Sequence, residues 1–419
     1  MKAKHKSLIH ASLEIIAGRV FVAVISLLFI AYFARELPKP ILGLIGVHAA
    51  VAALSKILLD LGMHFQVVRE ATPLIDDNRL TDAVDKVIRP AVTIRVIAAT
   101  AFSVLLFALG YLFIDDLQAA IPGMDMYLAL PFACAHILLK NYLYILTPVF
   151  FASQRYWQDS LIDSGSATCE KIFAFLFYIA FGIDYFFAGV LVGVAITLLL
   201  ALWLLRDVAI HFRPRRLPVS EIMQWLRICF PNYQRVLYRS GFRQLDRVVI
   251  AAMLPLSQMA NYHIARQGAQ VLGQLARVLS GPVSVRLAAD LDADTRDRDR
   301  RLYYTTFIVL PLLMAALSPW LVTLIGGEKY ADAWVIMAVL NVAFIFNGLA
   351  QYQLSVIAVK GDSHTPIGWE RFAGVVGLVT TIAMTWWIGQ SGAPLGQLVN
   401  FMLLYFLGRS VVRQILANP

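Results

Sequence analysis

The stretch QRVLYRSGFRQLDRVVIAAML, residues 234–254, decides how this chain is read. It has the length of a membrane helix, yet it carries Arg235, Arg239, Arg243 and Arg247, four residues apart. On an α-helix that spacing turns each side chain only about 40° from the last, so the four form one stripe. An arginine at the bilayer centre costs roughly 2.5–3.5 kcal/mol on insertion scales, so four facing lipid would cost about 10 kcal/mol. Such a stripe must face protein or a water-filled cavity, and a cationic cavity attracts anions. The stretch therefore points to a carrier of a negatively charged substrate.

The rest of the chain supports a membrane reading. It is 59% hydrophobic and 15% charged, with a mean hydropathy of +0.69, more apolar than a soluble domain of 419 residues needs. A span takes about 20 apolar residues. Twelve segments qualify: 13–34, 41–61, 91–113, 127–151, 166–183, 185–205, 226–254, 258–285, 303–325, 333–358, 367–388 and 394–415. Little is left for a soluble catalytic domain. Residues 13–34 read as a first span, not as a cleaved signal peptide.

Charge sets the orientation. With both termini inside, the inner segments hold 22 Lys and Arg, and the outer loops hold three, Arg35, Lys39 and Lys329. Trp157, Trp203, Trp225 and Trp369 fall near inner ends, and Trp320, Trp334, Trp386 and Trp387 near outer ends, as an interfacial belt requires. The net charge of +9 thus reflects topology and anionic lipid, not a nucleic-acid partner. The informative imbalance lies in what remains of the spans once the inner segments, among them 62–95, 359–371 and 409–419, are set aside: 11 basic residues against Glu14, Asp60, Glu170 and Asp246.

The chain also resembles itself at a shift of 217 residues. Pro38 through Gly62 falls on Pro255 through Leu279, Val68-Arg69-Glu70-Ala71 falls on Val285-Arg286-Leu287-Ala288, and both run into a charged inner segment. The expected organisation is two parallel six-helix lobes, 1–205 and 226–419, joined by a basic linker at 206–225 that contains HFRPRRLP.

Several further polar groups lie on helix faces. Arg266, Gln270, Gln274 and Arg277 form a second stripe suited to phosphate or hydroxyl groups, although glutamines also bond between membrane helices. Asp246 follows Arg243 by three residues and can pair with it or with Arg247, which leaves packing and binding roles both open. Glu14 and Arg19 sit in the first span. Lys56 and Asp60, spaced i, i+4, read as a gate or a structural pair. His136, Lys140 and Tyr144 share a face, with Lys140 near mid-span as a cavity candidate. Gly189 and Gly193 read as a close helix contact. Cys134, Cys169 and Cys229 read as buried free thiols.

No GxxxxGK[ST], HExxH, G-x-S-x-G or paired-cysteine spacing occurs, so neither a cofactor nor a metal is expected.

With these features the chain resembles the polysaccharide transporter (Wzx-like) family of lipid-linked oligosaccharide flippases, within the multidrug/oligosaccharidyl-lipid/polysaccharide exporter superfamily. The resembling residues are Gly18-Arg19, AYFARELPKPILGLIGVHAAVAAL, LLDLGMHFQVVREAT, VFFASQRYWQDS and LSVIAVKGDSHTP. The resemblance implies an all-α fold of two six-helix lobes in a V around a central cavity. It implies alternating access that moves an undecaprenyl-pyrophosphate-linked glycan from the inner to the outer leaflet of the bacterial inner membrane, for O-antigen or exopolysaccharide. A cavity of Arg19, Lys140, Arg235, Arg239, Arg243, Arg247, Arg266, Gln270, Gln274 and Arg277 would hold the pyrophosphate, with Glu14, Lys56, Asp60 and Asp246 in coupling or gating. The expected partners are that glycan, membrane lipids and polysaccharide synthesis enzymes, with the protein a monomer. Two other functions fit less well: a multidrug exporter lacks enough membrane carboxylates here, and a polytopic polymerase or ligase lacks the basic outer loop such enzymes need.

Overall fold

The computed structural model describes residues 8–209, 216–288, 293–360 and 366–417, and these fold into helices with no strand among them. In chain order they are α1 (Leu8–Glu36), α2 (Lys39–Leu58), α3 (Met63–Asp76), α4 (Leu80–Ala83), α5 (Arg89–Leu112), α6 (Ile114–Ala120), α7 (Met126–Ala152), α8 (Tyr156–Phe181), α9 (Phe186–Leu204), α10 (Arg206–Ala209), α11 (Val219–Val236), α12 (Phe242–Met253), α13 (Leu256–Ala288), α14 (Ala293–Ala316), α15 (Ser318–Gly326), α16 (Trp334–Lys360), α17 (Pro366–Ile388) and α18 (Ala393–Ala417). Among the described residues, seven helices are long and apolar enough to cross a membrane, or up to eight if a bent pair is one span. The protein is therefore a multi-pass helical membrane protein.

The chain packs as two compact units. One contains Val51–Leu237, and the other joins Met1–Ala50 to Tyr238–Pro419.

In the Val51–Leu237 unit, the core gathers Met63 and Val67 of α3, Leu143, Leu146 and Phe150 of α7, Val194 and Ala201 of α9, and Cys229 of α11. Gly189 and Gly193 make the close contact that their spacing suggested. A Cβ on Gly193 would lie 2.6 Å from Glu170 Cα, and one on Gly189 would strike the Phe173 carbonyl, so α8 and α9 meet backbone to backbone. Gly62, at φ 73°, turns the chain into α3 and rests 2.5 Å, measured from its would-be Cβ, from the Tyr233 amide of α11. At the ends of α7 and α9, Arg155 Nη1 donates to Leu204 O at 2.9 Å and to Asp207 Oδ1 at 3.0 Å. Gln154 Nε2 donates to Asp76 at 3.0 Å. The segment VFFASQRYWQDS is thus a structural tie between helix ends.

In the second unit, α16 packs on α13, α14 and α18, and α17 packs on α12 and α18. Tyr303, Phe307 and Tyr352 form an aromatic cluster, with ring centroids 4.6 Å and 5.4 Å apart for Tyr303–Phe307 and Tyr303–Tyr352. The helix bends by 64° between α14 and α15, where Pro319 opens the new helix and cannot continue the old one's hydrogen bonds. Helix α1 packs on α13 and α15 in this unit. Gly43 lies against the Leu256 carbonyl, and Gly46 against His263, with its would-be Cβ 3.1 Å from that side chain. A shift of 217 carries position 46 onto 263, so this contact joins repeat-equivalent positions.

Candidate functional site

The arginine stretch is helical but not one α-helix. Between α11 and α12 the residues Leu237–Gly241 form a π-helical turn. A π turn uses an i→i+5 bond and so takes an extra residue per turn. The four arginines are thus spread over three segments: Arg235 lies in α11, Arg239 in the π turn, and Arg243 and Arg247 in α12. The side chains of Arg235, Arg239 and Arg243 lie outside those described, as do those of Glu14, Arg19, Gln274 and Arg277.

Within the unit of Met1–Ala50 and Tyr238–Pro419, the described polar groups converge on Asp246. Its side chain is only 2% exposed. Oδ2 accepts from Tyr262 Oη, from Arg266 Nη1 and from Gln397 Nε2. These donors come from α13 and α18, so the carboxylate of α12 ties three helices. Among the described side chains its ionic partner is Arg266 rather than Arg247. Arg247, also buried, donates to Gln244 and leaves its Nε without a hydrogen-bond partner. Asn261 Nδ2 bonds to Gln390 Oε1 at 2.9 Å. Asp246 Oδ1, Asn261 Oδ1 and His263 Nδ1 are buried without a partner among the described residues. Arg266 takes this carboxylate, and Arg247 has no ion pair among the described residues. Excess positive charge in a low-dielectric interior is unfavourable until an anion compensates it. Gln270, one helical turn after Arg266 on α13, is half-buried.

The Val51–Leu237 unit holds a different arrangement. Lys140, expected as a cavity base, is ion-paired with Glu170 and donates to Ser166 at 2.6 Å. His136 Nε2 lies 3.3 Å from the other carboxylate oxygen of Glu170. The cluster is buried and charge-balanced, so Lys140 already has its counter-ion. The expected Lys56–Asp60 pair is replaced by two separate contacts. Lys56 Nζ sits 3.9 Å from the Tyr144 ring centroid, a cation–π contact. Asp60 lies 3.7 Å from Arg95, a buried arginine of α5. Side chains four apart meet only while the helix continues, and α2 ends at Leu58, which leaves Asp60 in the following turn.

Sequence reasoning missed Arg95, which it assigned to an inner segment, and it missed the partners Tyr262, Gln397 and Glu370-bearing α17 as sources of buried polarity. A signal for one existed. Glu170 was visible as a rare acid within a span, and an intramembrane acid needs a basic neighbour. Among the described residues, no group of three or more His, Cys, Asp or Glu could hold a metal ion.

Helices of this length define a class by fold, multi-pass helical membrane proteins whose fold is also found in drug transporters and a lipid flippase. The chain superposes on the lipid II flippase MurJ in an inward closed conformation with a TM-score of 0.74, at 14% identity, over 95% of this chain and 87% of that one. It superposes on an inward-facing multidrug resistance MATE family transporter of the MOP superfamily with a TM-score of 0.70, at 12% identity, over 95% and 96% of the two chains. A MATE protein in the straight conformation gives a TM-score of 0.61 at 11% identity, over 98% and 96%. Within that class the sequence is more specific: the model of the polysaccharide biosynthesis protein family matches residues 32–335, more than half of the chain, and the protein belongs to that family. No match was found among curated protein sequences.

Proposed function

We propose that this protein is a flippase that moves an undecaprenyl-pyrophosphate-linked oligosaccharide from the inner to the outer leaflet of a bacterial inner membrane, for O-antigen or exopolysaccharide. One observation carries the reading: a member of a polysaccharide biosynthesis family, with a carrier fold, holds Arg266 on a buried carboxylate and buries Arg247 close by with no ion pair among the described residues. A pyrophosphate supplies the missing negative charge and accepts bidentate bonds from arginine. The same residues suit a glycan poorly without that phosphate, because guanidinium binds a neutral hydroxyl more weakly than an anion. In this reading the pyrophosphate is held by the cationic run of α11–α13, including Arg235, Arg239, Arg243, Gln270, Gln274 and Arg277, together with Arg19. Asp246 tunes that field by pairing with Arg266. The repeats 1–205 and 226–419, joined by 206–225, serve as the two lobes of an alternating-access carrier. The distribution of Lys and Arg supports a reading with both termini in the cytoplasm. The protein works as a monomer, beside the enzymes that build its substrate.

The test is a leaflet-protection assay in proteoliposomes. Labelled undecaprenyl-pyrophosphate glycan is incorporated, and an impermeant reagent scores the outward-facing fraction. The wild type is expected to flip the lipid, and Arg239→Ala with Arg243→Ala to lose at least tenfold in rate while remaining folded. Full flipping by the double variant would remove the cationic run from the mechanism. No flipping by the wild type would overturn the substrate assignment.

A further inference from the structure

The inner ends of α14 and α18 carry a group of side chains that the substrate reading leaves unused. On each helix a tyrosine has an arginine one turn nearer the inner end: Arg300 for Tyr304, and Arg409 for Tyr405. Four residues apart, the members of each pair share a helix face.

Helix α16 brings the two pairs to one place, because it packs on both α14 and α18. A Cβ on Gly348 of α16 would run into the Phe307 ring of α14, and one on Gly408 of α18 would lie 2.5 Å from Gln353 Oε1 of α16. With no side chain at either position, both helices close on α16. Tyr303, Phe307 and Tyr352 then form one cluster, against which Tyr304 of α14 and Tyr405 and Val412 of α18 all pack. The Tyr304 ring stands edge-on to Tyr352, with centroids 5.3 Å apart. Tyr304 is within electrostatic reach of Tyr405 and of both arginines, Arg300 and Arg409. Arg413, one turn beyond Arg409 and next to Val412, extends the group.

What these groups lack is an anion. Arg409 and Arg413 are exposed and have no acidic partner among the described residues. The hydroxyls of Tyr304 and Tyr405 have no hydrogen-bond partner among them either. Arg300 is exposed too, and the half-buried Asp299 of the same turn sits about 100° round the helix from it. Toward the membrane the wall turns apolar. Phe406, three residues before Arg409 and on its face, is 52% exposed, with its ring 6.4 Å from that of Phe346. A rim of guanidinium and phenol beside an exposed apolar wall has the polarity of a phospholipid. Guanidinium binds a phosphate through two parallel bonds, and a tyrosine hydroxyl can donate another.

We propose that Arg300, Arg409 and Arg413, with Tyr304 and Tyr405, form a binding site for the phosphate of an anionic glycerophospholipid in the inner leaflet. Basic residues scattered over an inner surface attract anionic lipid wherever they lie, whereas this site holds one headgroup between two helix ends. All five residues belong to the repeat 226–419 and to one packing unit, so a bound lipid leaves the two repeats free to move against each other. The site needs only the membrane class of the protein and goes beyond the flippase reading.

The experiment follows thermal unfolding of the full-length protein in detergent while dioleoylphosphatidylglycerol or dioleoylphosphatidylcholine is titrated in. For the wild type, phosphatidylglycerol is expected to raise the midpoint with an apparent affinity at least tenfold above that of phosphatidylcholine. Arg409→Gln with Arg413→Gln should lower the affinity for phosphatidylglycerol by about tenfold or more and leave phosphatidylcholine unchanged. Arg409→Lys with Arg413→Lys keeps the charge and should stay within about threefold of wild type. Tyr304→Phe with Tyr405→Phe keeps both rings, removes two donors and should cost about threefold, so it carries the test if the glutamine pair does not fold. Arg206→Gln with Arg227→Gln, which removes two exposed arginines of the Val51–Leu237 unit, is the comparison and should change the affinity less than twofold. An equal loss in that variant would reduce the effect to general surface charge and overturn the site. A wild type that the two lipids stabilise alike would overturn it too. A response to soluble polyglutamate in place of phosphatidylglycerol would assign the face to an acidic protein segment and overturn it as well. None of these readouts requires transport, so the flippase reading can fail without touching the site.

Discussion

Replacing Asp246 with asparagine tests whether the buried charge cluster is structural in the way its geometry implies. Asparagine keeps a similar shape and one acceptor oxygen, but it removes the only described carboxylate beside Arg266 and Arg247. Breaking a buried ion pair by removing one partner costs about 3–5 kcal/mol, because the remaining charge stays buried. At roughly 2–4 °C per kcal/mol for a unit of this size, the unfolding midpoint in detergent should fall by about 6–20 °C. An ordinary hydrogen bond between membrane helices averages only about 0.6 kcal/mol, or about 1–2 °C on the same scale. The two cases are well separated. The assay is thermal unfolding followed by size-exclusion fluorescence at pH 7. The second arm is Asp246→Asn with Arg266→Met, which removes both charges and should recover most of the loss. A midpoint within 2 °C of wild type for the single variant, or a double variant no better than the single, would refute the reasoning.

Three other outcomes follow from the structure. Glu170→Gln strips Lys140 of its counter-ion and should destabilise the Val51–Leu237 unit by about 3–5 kcal/mol, with recovery in Glu170→Gln plus Lys140→Met, both read as unfolding midpoints. Gly193→Ala forces a Cβ to within 2.6 Å of Glu170 Cα and should abolish folded protein on size exclusion, whereas Gly165→Ala meets open space and should stabilise α8 by about 0.5–1 kcal/mol. The Arg155 hydrogen bond holds the Asp207 carboxyl below the usual carboxylate range. Its contribution is therefore complete above the ordinary aspartate value of about 3.9 and is lost as pH falls through the lowered folded value. Because Asp207 is 51% exposed, the loss should be at most about 1 kcal/mol between pH 6 and pH 3, and Arg155→Gln should remove it.

The sequence was most legible where one physical rule acts along the whole chain. Hydrophobic runs and the sided distribution of Lys and Arg report the bilayer itself, so the helical membrane class could be read without tertiary information. The Gly189–Gly193 contact was legible for a similar reason, since two missing side chains on one face admit a neighbouring backbone. Partner choice was not legible. Spacing offered Asp246 to Arg243 or Arg247 and Lys56 to Asp60. Among the described side chains Asp246 pairs with Arg266 rather than Arg247, Lys56 with Tyr144 and Asp60 with Arg95, all from other helices. Pairing across helices depends on how those helices dock, and no local period encodes that. The packing units were hidden likewise, because a unit boundary falls inside α2, after Ala50.

The π turn at Leu237–Gly241 has a meaning for the history of the chain. Such a turn is what an α-helix becomes when one residue is inserted and the flanking helix keeps its packing. Deleting a single residue from 237–241 should restore a continuous α-helix and leave the flanking turns in register, because the wide turn takes up the extra residue by itself. The spacing of the basic residues along the sequence is thus set by an indel as well as by substitutions. An arginine eight residues before the counterpart of Arg243 in another chain occupies the helix position of Arg235 only if that chain carries the same insertion.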